Sequence, residues 1–261
     1  MTNRGPGTAF TPAVSRWIGG LGRLRDVVRQ EVLAAQIAGL PQLSGPARVL
    51  DVGCGQGTQA IRLARAGHRV TGLEPDARLL EVFRAALAAE PPDVAARVRL
   101  VEGRGEAAPA LAGGGFDLVA CHGVLMYLDD LTPMLAALSA SAAPGGVISL
   151  LVRNGLAVAM RDGLRGDWAG ALAAFGSRDY VNRLGLRVRA HAPEDIDIAL
   201  APLGWRRVAW FGVRVFTDHL DSQAPAAGLP EMLAAEREAG SRDPYRSVAA
   251  LLHLVYQRAA G

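Results

Sequence analysis

Short apolar runs alternate with stretches of helical periodicity between residues 47 and 151. The runs are rich in Val, Leu and Ile, which is typical of strands that are covered on both faces of a parallel sheet. Helices in the intervals would supply the crossovers between parallel strands. The pattern therefore predicts an α/β fold with a mostly parallel sheet and helices on both faces, with strands at 48–52, 69–73, 98–101, 116–122 and 146–152.

Helical periodicity and start signals mark the segments between and around these strands. We predict helices at 21–40, 58–66, 76–89, 132–142, 193–203 and 229–239, and two further strands at 206–216 and 251–257. Residues 154–190 mix Gly, Arg and aromatic residues without a sustained period, which favours a mobile insertion or lid that faces the substrate. We divide the chain into an N-terminal helical segment, 1–41, and one domain, 42–261.

Composition favours a cytoplasmic protein without a membrane partner. No uninterrupted apolar run approaches the roughly 18 to 20 residues that cross a bilayer, and the first residues lack the apolar core of a signal peptide. The two cysteines, Cys54 and Cys121, have no Cys or His partners at metal-ligand spacing. We therefore expect structural thiols and no metal site.

Positive charge is concentrated in two parts of the chain. All 28 basic residues are arginine, and the formal net charge is +3. Residues 1–30 hold five arginines and one aspartate, and residues 151–190 hold seven arginines and three aspartates. This asymmetry predicts a locally basic face that suits an anionic partner, although ordinary solvated arginines explain it equally well.

A glycine-rich loop follows the first predicted strand and indicates a nucleotide-like ligand. Glycines at 53, 55 and 57 would let the backbone approach that ligand closely. Thr58 occupies the place of the third glycine of the dinucleotide fingerprint, which makes a pyrophosphate-binding site for a nicotinamide cofactor less favoured. The chain has no lysine, which excludes a Walker-type phosphate-binding loop. Glu74, at the end of the second strand, is placed to accept both hydroxyls of a ribose, while Asp51 stands at the entrance of the loop and would favour a positive charge.

Four segments resemble the class I S-adenosylmethionine-dependent methyltransferases in the family's order: VLDVGCGQG, VTGLEPD, FDLVACHGVLMYL and APGGVISL. The resemblance implies a Rossmann-like, seven-stranded sheet with a reversed last strand. It also implies S-adenosyl-L-methionine as the cofactor and S-adenosyl-L-homocysteine as the product. The cofactor-binding residues it implies in these segments and the next loop are Asp51, Gly53, Cys54, Gly55, Gly57, Glu74 and Pro75, with Gly105 and Glu106 beside the adenine.

The chemistry of methyl transfer limits what the protein must supply. An in-line displacement requires alignment of acceptor and methyl group in a dry pocket, and a base is needed only when the acceptor starts protonated. A carboxylate acceptor is already ionised and needs a positioned cation. We therefore assign no catalytic residue. Three roles remain open for His122: a weak candidate base, a cofactor contact, or a residue at the strand end that is hydrogen-bonded to the backbone.

A narrower resemblance covers nearly the whole chain. The segments SRWIGGLGRLR, NGLAVAMRDGLRGDW, GVRVFTDHL and DPYRSVAALLHLVYQ are similar to the bacterial transfer-RNA methyltransferases that esterify the carboxylate of wobble 5-carboxymethoxyuridine. By this resemblance Arg25 would hold the cofactor's carboxylate, His122 would contact the cofactor, and the anticodon arm would be the partner. The candidates for gripping the modified nucleotide are Arg16, Arg153, Asn154, Arg214 and Tyr245.

Other interpretations remain open at this point. Arg214 can bind a carboxylate or phosphate through two N–H groups, or it can form a structural salt bridge with Asp218. The acceptor could instead be a small anionic metabolite, as in the O-methyltransferases of metabolism or natural-product tailoring. A third hypothesis is a non-catalytic RNA-binding domain with the same fold.

Overall fold

A seven-stranded sheet forms the centre of the computed structural model, which describes residues 13–220, 222–225 and 227–258. Its strands, numbered with those of a separate hairpin, are β1 Arg48–Val52, β2 Arg69–Glu74, β3 Val98–Glu102, β4 Phe116–His122, β5 Ala142–Arg153, β8 Trp205–Val213 and β9 Leu251–Arg258. The hairpin consists of β6 Asp179–Val181 and β7 Arg187–Arg189, which pair in antiparallel orientation.

The strand order across the sheet is β3-β2-β1-β4-β5-β9-β8. All pairs from β3 to β5 are parallel, whereas β9 runs antiparallel to both β5 and β8. The sequence-based prediction of a mostly parallel, seven-stranded sheet with a reversed last strand is confirmed. Because the first parallel strands end at the same edge, the loops that follow β1, β2 and β4 meet there.

Helices cover both faces of the sheet. They are α1 Val14–Ile18, α2 Leu24–Ala38, α3 Thr58–Arg65, α4 Ala77–Ala88, α5 Pro92–Ala95, α6 Ala108–Leu111, α7 Thr132–Ser141, α8 Val158–Leu164, α9 Trp168–Ala174, α10 Pro193–Leu200 and α11 Leu229–Ser241. Successive strand residues pack into two different core clusters, Val49 with α2 and α3, and Leu50 with α7 and α10. This is the alternation expected of a strand buried on both faces.

Several predicted boundaries were wrong at element ends; the strand predicted at 146–152 begins at Ala142, and the helix predicted at 193–203 ends at Leu200. The helix predicted at 21–40 begins at Leu24 and ends at Ala38. The strand predicted at 206–216 ends at Val213, because Arg214 has a left-handed backbone with φ of 60°. That conformation is costly for a residue other than glycine and turns the chain out of the sheet.

The segment 154–190 contains more regular structure than its sequence pattern indicates. It forms α8, α9 and the β6–β7 hairpin. Several apolar side chains remain exposed here, including Trp168 at 69% and Phe175 at 80%. Its role as a lid stays a prediction. In the described part of the chain, no helix is long and apolar enough to cross a membrane.

Candidate cofactor and acceptor site

The loop between β1 and α3 requires glycine for two different reasons. Gly53, Gly55 and Gly57 all have positive φ angles, of 70°, 57° and 84°. A Cβ at Gly53 would lie 2.4 Å from Val124, and one at Gly57 would lie 2.2 Å from Phe83, so both positions lack space for a side chain. A Cβ at Gly55 would meet nothing within 4 Å. The loop therefore leaves open space above Gly55 into which a ligand can extend.

A small cavity of about 160 Å³ opens above this loop at the carboxyl edge of the sheet. Its wall contains seven of the predicted cofactor-binding residues: Asp51, Gly53, Cys54, Gly55, Glu74, Pro75 and His122. Gly57 lies outside this wall, although its neighbours Gln56 and Thr58 line it. Sequence reasoning missed Gln56, Gln59 and Tyr127 in the same wall. Trp17 also lies here, and its Nε1 donates a hydrogen bond to Gln56 Oε1 at 2.9 Å.

Glu74 joins the two loops of the small cavity. Its Oε2 accepts a hydrogen bond from the backbone N–H of Gly55 at 3.0 Å, and its Oε1 accepts one from the N–H of Asp76 at 3.0 Å. Burial raises the pKa of Glu74, although these N–H donors oppose the rise. The carboxylate is thus held at the end of β2, where the ribose hydroxyls of an adenosyl ligand are expected.

Asp51 adds a second buried carboxyl group to the same cavity. It is 3% exposed, and burial, followed by repulsion from Glu74, raises its pKa to about 7. A positively charged ligand nearby would favour the ionised form of both groups. An open glycine loop with two buried carboxyl groups fits a sulfonium cofactor that also carries an ammonium group and a ribose.

His122 lies in the wall of the small cavity and is neutral. Burial, followed by the charge of His253, lowers its pKa well below the usual range. Its Nε2 lies 2.9 Å from Ser149 Oγ, so its observed partner is a side chain and not the backbone. Its Nδ1 is buried without a hydrogen-bond partner among the described residues.

A second cavity, of about 740 Å³, adjoins the first. The two share wall residues, among them Trp17, Arg29, Gly123 and Tyr127. The larger cavity has an arginine-rich wall: Arg16, Arg23, Arg25, Arg29, Arg153, Arg161, Arg183 and Arg214. Among the described residues, three aspartates, Asp26, Asp162 and Asp179, line it as well, so this part of its wall carries a net positive charge.

The buried carboxylate of Asp218 contacts three of these guanidinium groups. Asp218 accepts a hydrogen bond from Arg25 Nη2 at 2.7 Å and one from Arg153 Nη1 at 3.1 Å, and its Oδ1 lies 3.4 Å from Arg214 Nε. Burial acts to raise the pKa of Asp218, but Arg214, Arg153 and Arg25 outweigh it and hold that pKa well below its usual range. The predicted salt bridge between Arg214 and Asp218 is therefore present.

The arginines retain hydrogen-bonding capacity beyond Asp218. The Nε atoms of Arg25, Arg153, Arg161 and Arg214, and Nη1 of Arg25, are buried without a partner in the described ranges. Burial, followed by the charge of Arg214, lowers the pKa of Arg25. Buried N–H donors and uncompensated positive charge together favour binding of an anion.

Three further predicted cofactor-binding residues, Arg25, Gly105 and Glu106, lie outside the wall of the small cavity. Arg25 lines the larger cavity, beside Asp218, and not the wall around the glycine loop. Gly105 lies outside the walls of both cavities and packs so closely that an added Cβ would meet Met134 and Val52 at 2.5 and 2.6 Å. Glu106 is also outside both walls and lies 3.6 Å from Arg104. Their contacts with the cofactor stay predictions.

Two predicted substrate-binding residues are likewise outside the cavity walls. The amide of Asn154 donates hydrogen bonds to the carbonyl oxygens of Ser247 and Ala249, and its Oδ1 accepts one from the N–H of Leu156. Asn154 thereby fixes the end of β5. Tyr245 is half exposed on the short helix Tyr245–Val248. Arg16, Arg153 and Arg214, in contrast, all line the larger cavity.

Comparisons with known proteins agree with this geometry. Residues 50–148 match a family model described as a methyltransferase domain. The chain is 26% identical over 240 residues to the tRNA 5-carboxymethoxyuridine methyltransferase of Escherichia coli strain K12, covering 91% of this chain and 90% of the relative. It is 32% identical over 180 residues to the ubiquinone biosynthesis O-methyltransferase of Xanthomonas campestris pv. campestris strain B100, covering 67% of each.

A solved structure has the same fold. The glycopeptide N-methyltransferase MtfA complexed with S-adenosyl-L-methionine superimposes with a TM-score of 0.57 and 17% identity, covering 88% of this chain and 94% of that chain. Within the described ranges, no group of three or more His, Cys, Asp or Glu residues is arranged to hold a metal ion.

Proposed function

Because the chain belongs to the S-adenosylmethionine-dependent methyltransferases, we propose that it esterifies an anionic acceptor, the carboxylate of wobble 5-carboxymethoxyuridine in transfer RNA. The observation that carries this proposal is the arginine-rich cavity of about 740 Å³ next to the cofactor cavity. A carboxylate could pair there with the unused N–H groups of Arg25 and Arg153. The match to the E. coli enzyme over 91% of the chain supports the same acceptor.

The mechanism requires little proton chemistry. S-adenosylmethionine supplies a methyl group that is activated for nucleophilic attack by the positive sulfur. The carboxylate acceptor is ionised at neutral pH, so no base has to remove a proton. The residues of this chain bind the acceptor, align it with the cofactor cavity and exclude water, which are the main contributions an in-line displacement needs.

Arg214 is the residue we expect to contribute most to acceptor binding. Its guanidinium lines the larger cavity, and its backbone is held in the left-handed region at φ 60°. Residues kept in such costly conformations occur preferentially at functional sites. Asp218 Oδ1 lies 3.4 Å from Arg214 Nε and orients the guanidinium from one side. We expect the Nη groups of Arg214 to bind the acceptor.

A direct assay tests the acceptor. The purified protein is incubated with labelled S-adenosylmethionine and transfer RNA from a strain that lacks the gene, and the digested nucleosides are examined by mass spectrometry. We expect one methyl group on 5-carboxymethoxyuridine. Absence of label in RNA together with binding of the cofactor would exclude this acceptor.

The variant Arg214→Asn tests how the acceptor is held. Asparagine tolerates a left-handed backbone, so the fold should persist while the guanidinium is lost. We expect methylation of transfer RNA to fall by about 10- to 100-fold, the cost of a hydrogen bond to a charged group, with S-adenosylhomocysteine affinity unchanged. The matched control is Arg206→Asn, an exposed arginine on β8 outside both cavities. Equal activity of the two variants would contradict the role of Arg214.

A small-molecule acceptor is the second candidate, and the 32% identity to the ubiquinone biosynthesis O-methyltransferase favours it. In that case the arginines would bind an anionic group of a metabolite. The same label assay distinguishes the candidates when it is repeated with small aromatic carboxylates and phenols in place of RNA. Turnover of these compounds without RNA methylation would favour the second candidate.

A further inference from the structure

Four polar side chains, two of them fully buried, form a continuous line of hydrogen bonds from α2 to the small cavity. Gln36 Oε1 lies 3.0 Å from His253 Nδ1, and His253 Nε2 lies 2.8 Å from Ser149 Oγ. Ser149 Oγ in turn lies 2.9 Å from His122 Nε2. Ser149 and His253 are both 0% exposed. Polar groups buried this deeply need defined donors and acceptors, so the direction of each hydrogen bond can be derived.

Gln36 sets the direction of the line. Its Nε2 donates a hydrogen bond to the carbonyl oxygen of Gly212 at 3.0 Å, because the opposite orientation would place two oxygens against each other. Its Oε1 is therefore the atom that faces His253, and it must accept from a proton on His253 Nδ1. A neutral imidazole with a proton on Nδ1 has a lone pair on Nε2. Ser149 consequently donates its hydroxyl proton to His253.

The last bond of the line follows from the others. Because the proton of the Ser149 hydroxyl points to His253, its oxygen accepts a hydrogen bond from His122, which carries its proton on Nε2. The lone pair of His122 is then on Nδ1. That atom is buried without a partner in the part of the chain the structure describes, and His122 lines the small cavity.

We propose that Gln36, His253 and Ser149 are positioning residues that hold His122 with its proton on Nε2, so that Nδ1 accepts a hydrogen bond from an N–H or O–H group of the bound cofactor. The line extends from α2 across β9 and β5 to the end of β4, and it couples the packing of α2 to the orientation of the imidazole. The proposal concerns the cofactor alone and does not depend on which acceptor is methylated.

The line positions His122 and does not store a proton. Burial lowers the pKa of His253 to about 3, and burial is also the main cause that lowers the pKa of His122 well below its usual range. Both rings are therefore neutral throughout the physiological pH range. A neutral ring with a fixed tautomer is a hydrogen-bond acceptor of defined direction.

Cofactor binding measured by calorimetry with S-adenosylhomocysteine, in the absence of any acceptor, tests the proposal. We expect Ser149→Ala to weaken binding about tenfold, because His122 loses the partner that fixes its tautomer. The matched control is Ser141→Ala, since Ser141 is also 0% exposed and its hydroxyl bonds to the carbonyl of Ala137 instead. In a His122→Ala background, Ser149→Ala should cause no further loss of affinity. Equal affinities of Ser149→Ala and Ser141→Ala would overturn the proposal.

Nitrogen-15 NMR of the imidazole rings gives a readout that a purely structural role would not change. We expect His122 in the wild type to show a protonated Nε2 and an unprotonated Nδ1, and its Nδ1 signal to shift when S-adenosylhomocysteine binds. His253→Phe breaks the line at another point while keeping an aromatic ring beside Phe211, and it should mix the tautomers of His122 as Ser149→Ala does. A proton on Nδ1 of His122 in the wild type would overturn the proposal.

Discussion

At the scale of single residues, Asp51 and Glu74 make the small cavity favour a positively charged ligand. Both carboxyl groups are buried, and burial raises the pKa of each. The ionised form of Asp51 is costly in the free protein and becomes favourable once a cation lies nearby. Cofactor binding and ionisation of Asp51 are therefore linked.

The linkage predicts that affinity for S-adenosylmethionine rises with pH through about 7. The pKa of Asp51 is about 7 in the free protein and should fall when the cationic cofactor binds, so binding releases a proton below that pH. Between pH 6 and 7.5 we expect affinity to increase by about five- to tenfold. Calorimetry in buffers of different ionisation enthalpy measures both the affinity and the released proton.

The control for this linkage is Asp51→Asn, which should bind more weakly and lose most of the pH dependence in the same range. Glu74 remains in that variant, and because its pKa is also raised by burial it would leave a residual dependence of affinity on pH. The cofactor's own amino group loses charge near pH 8, so the comparison ends below it. An affinity of the wild type that stays constant or falls as pH rises would contradict the linkage.

The residues that sequence alone could identify are those defined by local pattern. The glycines, Asp51 and Glu74 adjoin strand ends, so their positions follow from the strands themselves. The pairing of Arg25 with Asp218 joins residues 193 positions apart and has no local signature. For the same reason, the pattern identified His122 but not Ser149, His253 and Gln36 behind it.

At the scale of elements, α11 holds the loop that carries Arg214 and Asp218. Glu236 on this helix is 0% exposed, and its carboxylate accepts hydrogen bonds from the backbone N–H groups of Val215, Phe216 and Thr217. The Thr217 hydroxyl adds a fourth at 2.6 Å. The loop thus reaches from Arg214 to Asp218 with its backbone donors satisfied by one side chain.

Removing this carboxylate should destabilise the protein strongly. Glu236→Ala leaves three backbone N–H groups near the core without an acceptor, and we expect the free energy of unfolding to fall by about 3 kcal/mol or more. Urea unfolding monitored by circular dichroism measures the change. Glu238→Ala, an exposed glutamate on the same helix, serves as the control and should change the free energy by less than about 0.5 kcal/mol. Similar losses for both variants would show that Glu236 does not anchor the loop.

The helices and strands could be predicted where the pattern of apolar residues extends over enough positions. All seven strands of the sheet and α2, α3, α4, α7, α10 and α11 were expected from their patterns, apart from their ends. The end of β8 depends on the left-handed backbone of Arg214, which no pattern of apolar residues indicates. In residues 154–190, the helices are short and partly exposed and the hairpin strands have three residues each, so no period could develop.

At the scale of the whole molecule, the two basic parts of the sequence meet at one edge of the sheet. Arg16, Arg23, Arg25 and Arg29 come from the first, and Arg153, Arg161 and Arg183 come from the second, yet all line the larger cavity. Charge that is dispersed along the chain thereby becomes a local positive field beside the cofactor cavity. Because of this arrangement, we expect the binding affinity for transfer RNA to depend on salt concentration differently from the affinity for a small carboxylate.

Salt dependence therefore distinguishes the two acceptors. If an anticodon stem-loop binds along the basic cavity, three or four phosphate contacts would release counterions, and affinity should fall by about tenfold or more between 50 and 200 mM KCl. Affinity for S-adenosylhomocysteine, measured in the same buffers, should change by less than about twofold, because its charges are bound inside the protein and are screened less. Fluorescence anisotropy of a labelled stem-loop supplies the first measurement. Weak, salt-insensitive RNA binding alongside tight cofactor binding would contradict an RNA acceptor and favour a small anionic one.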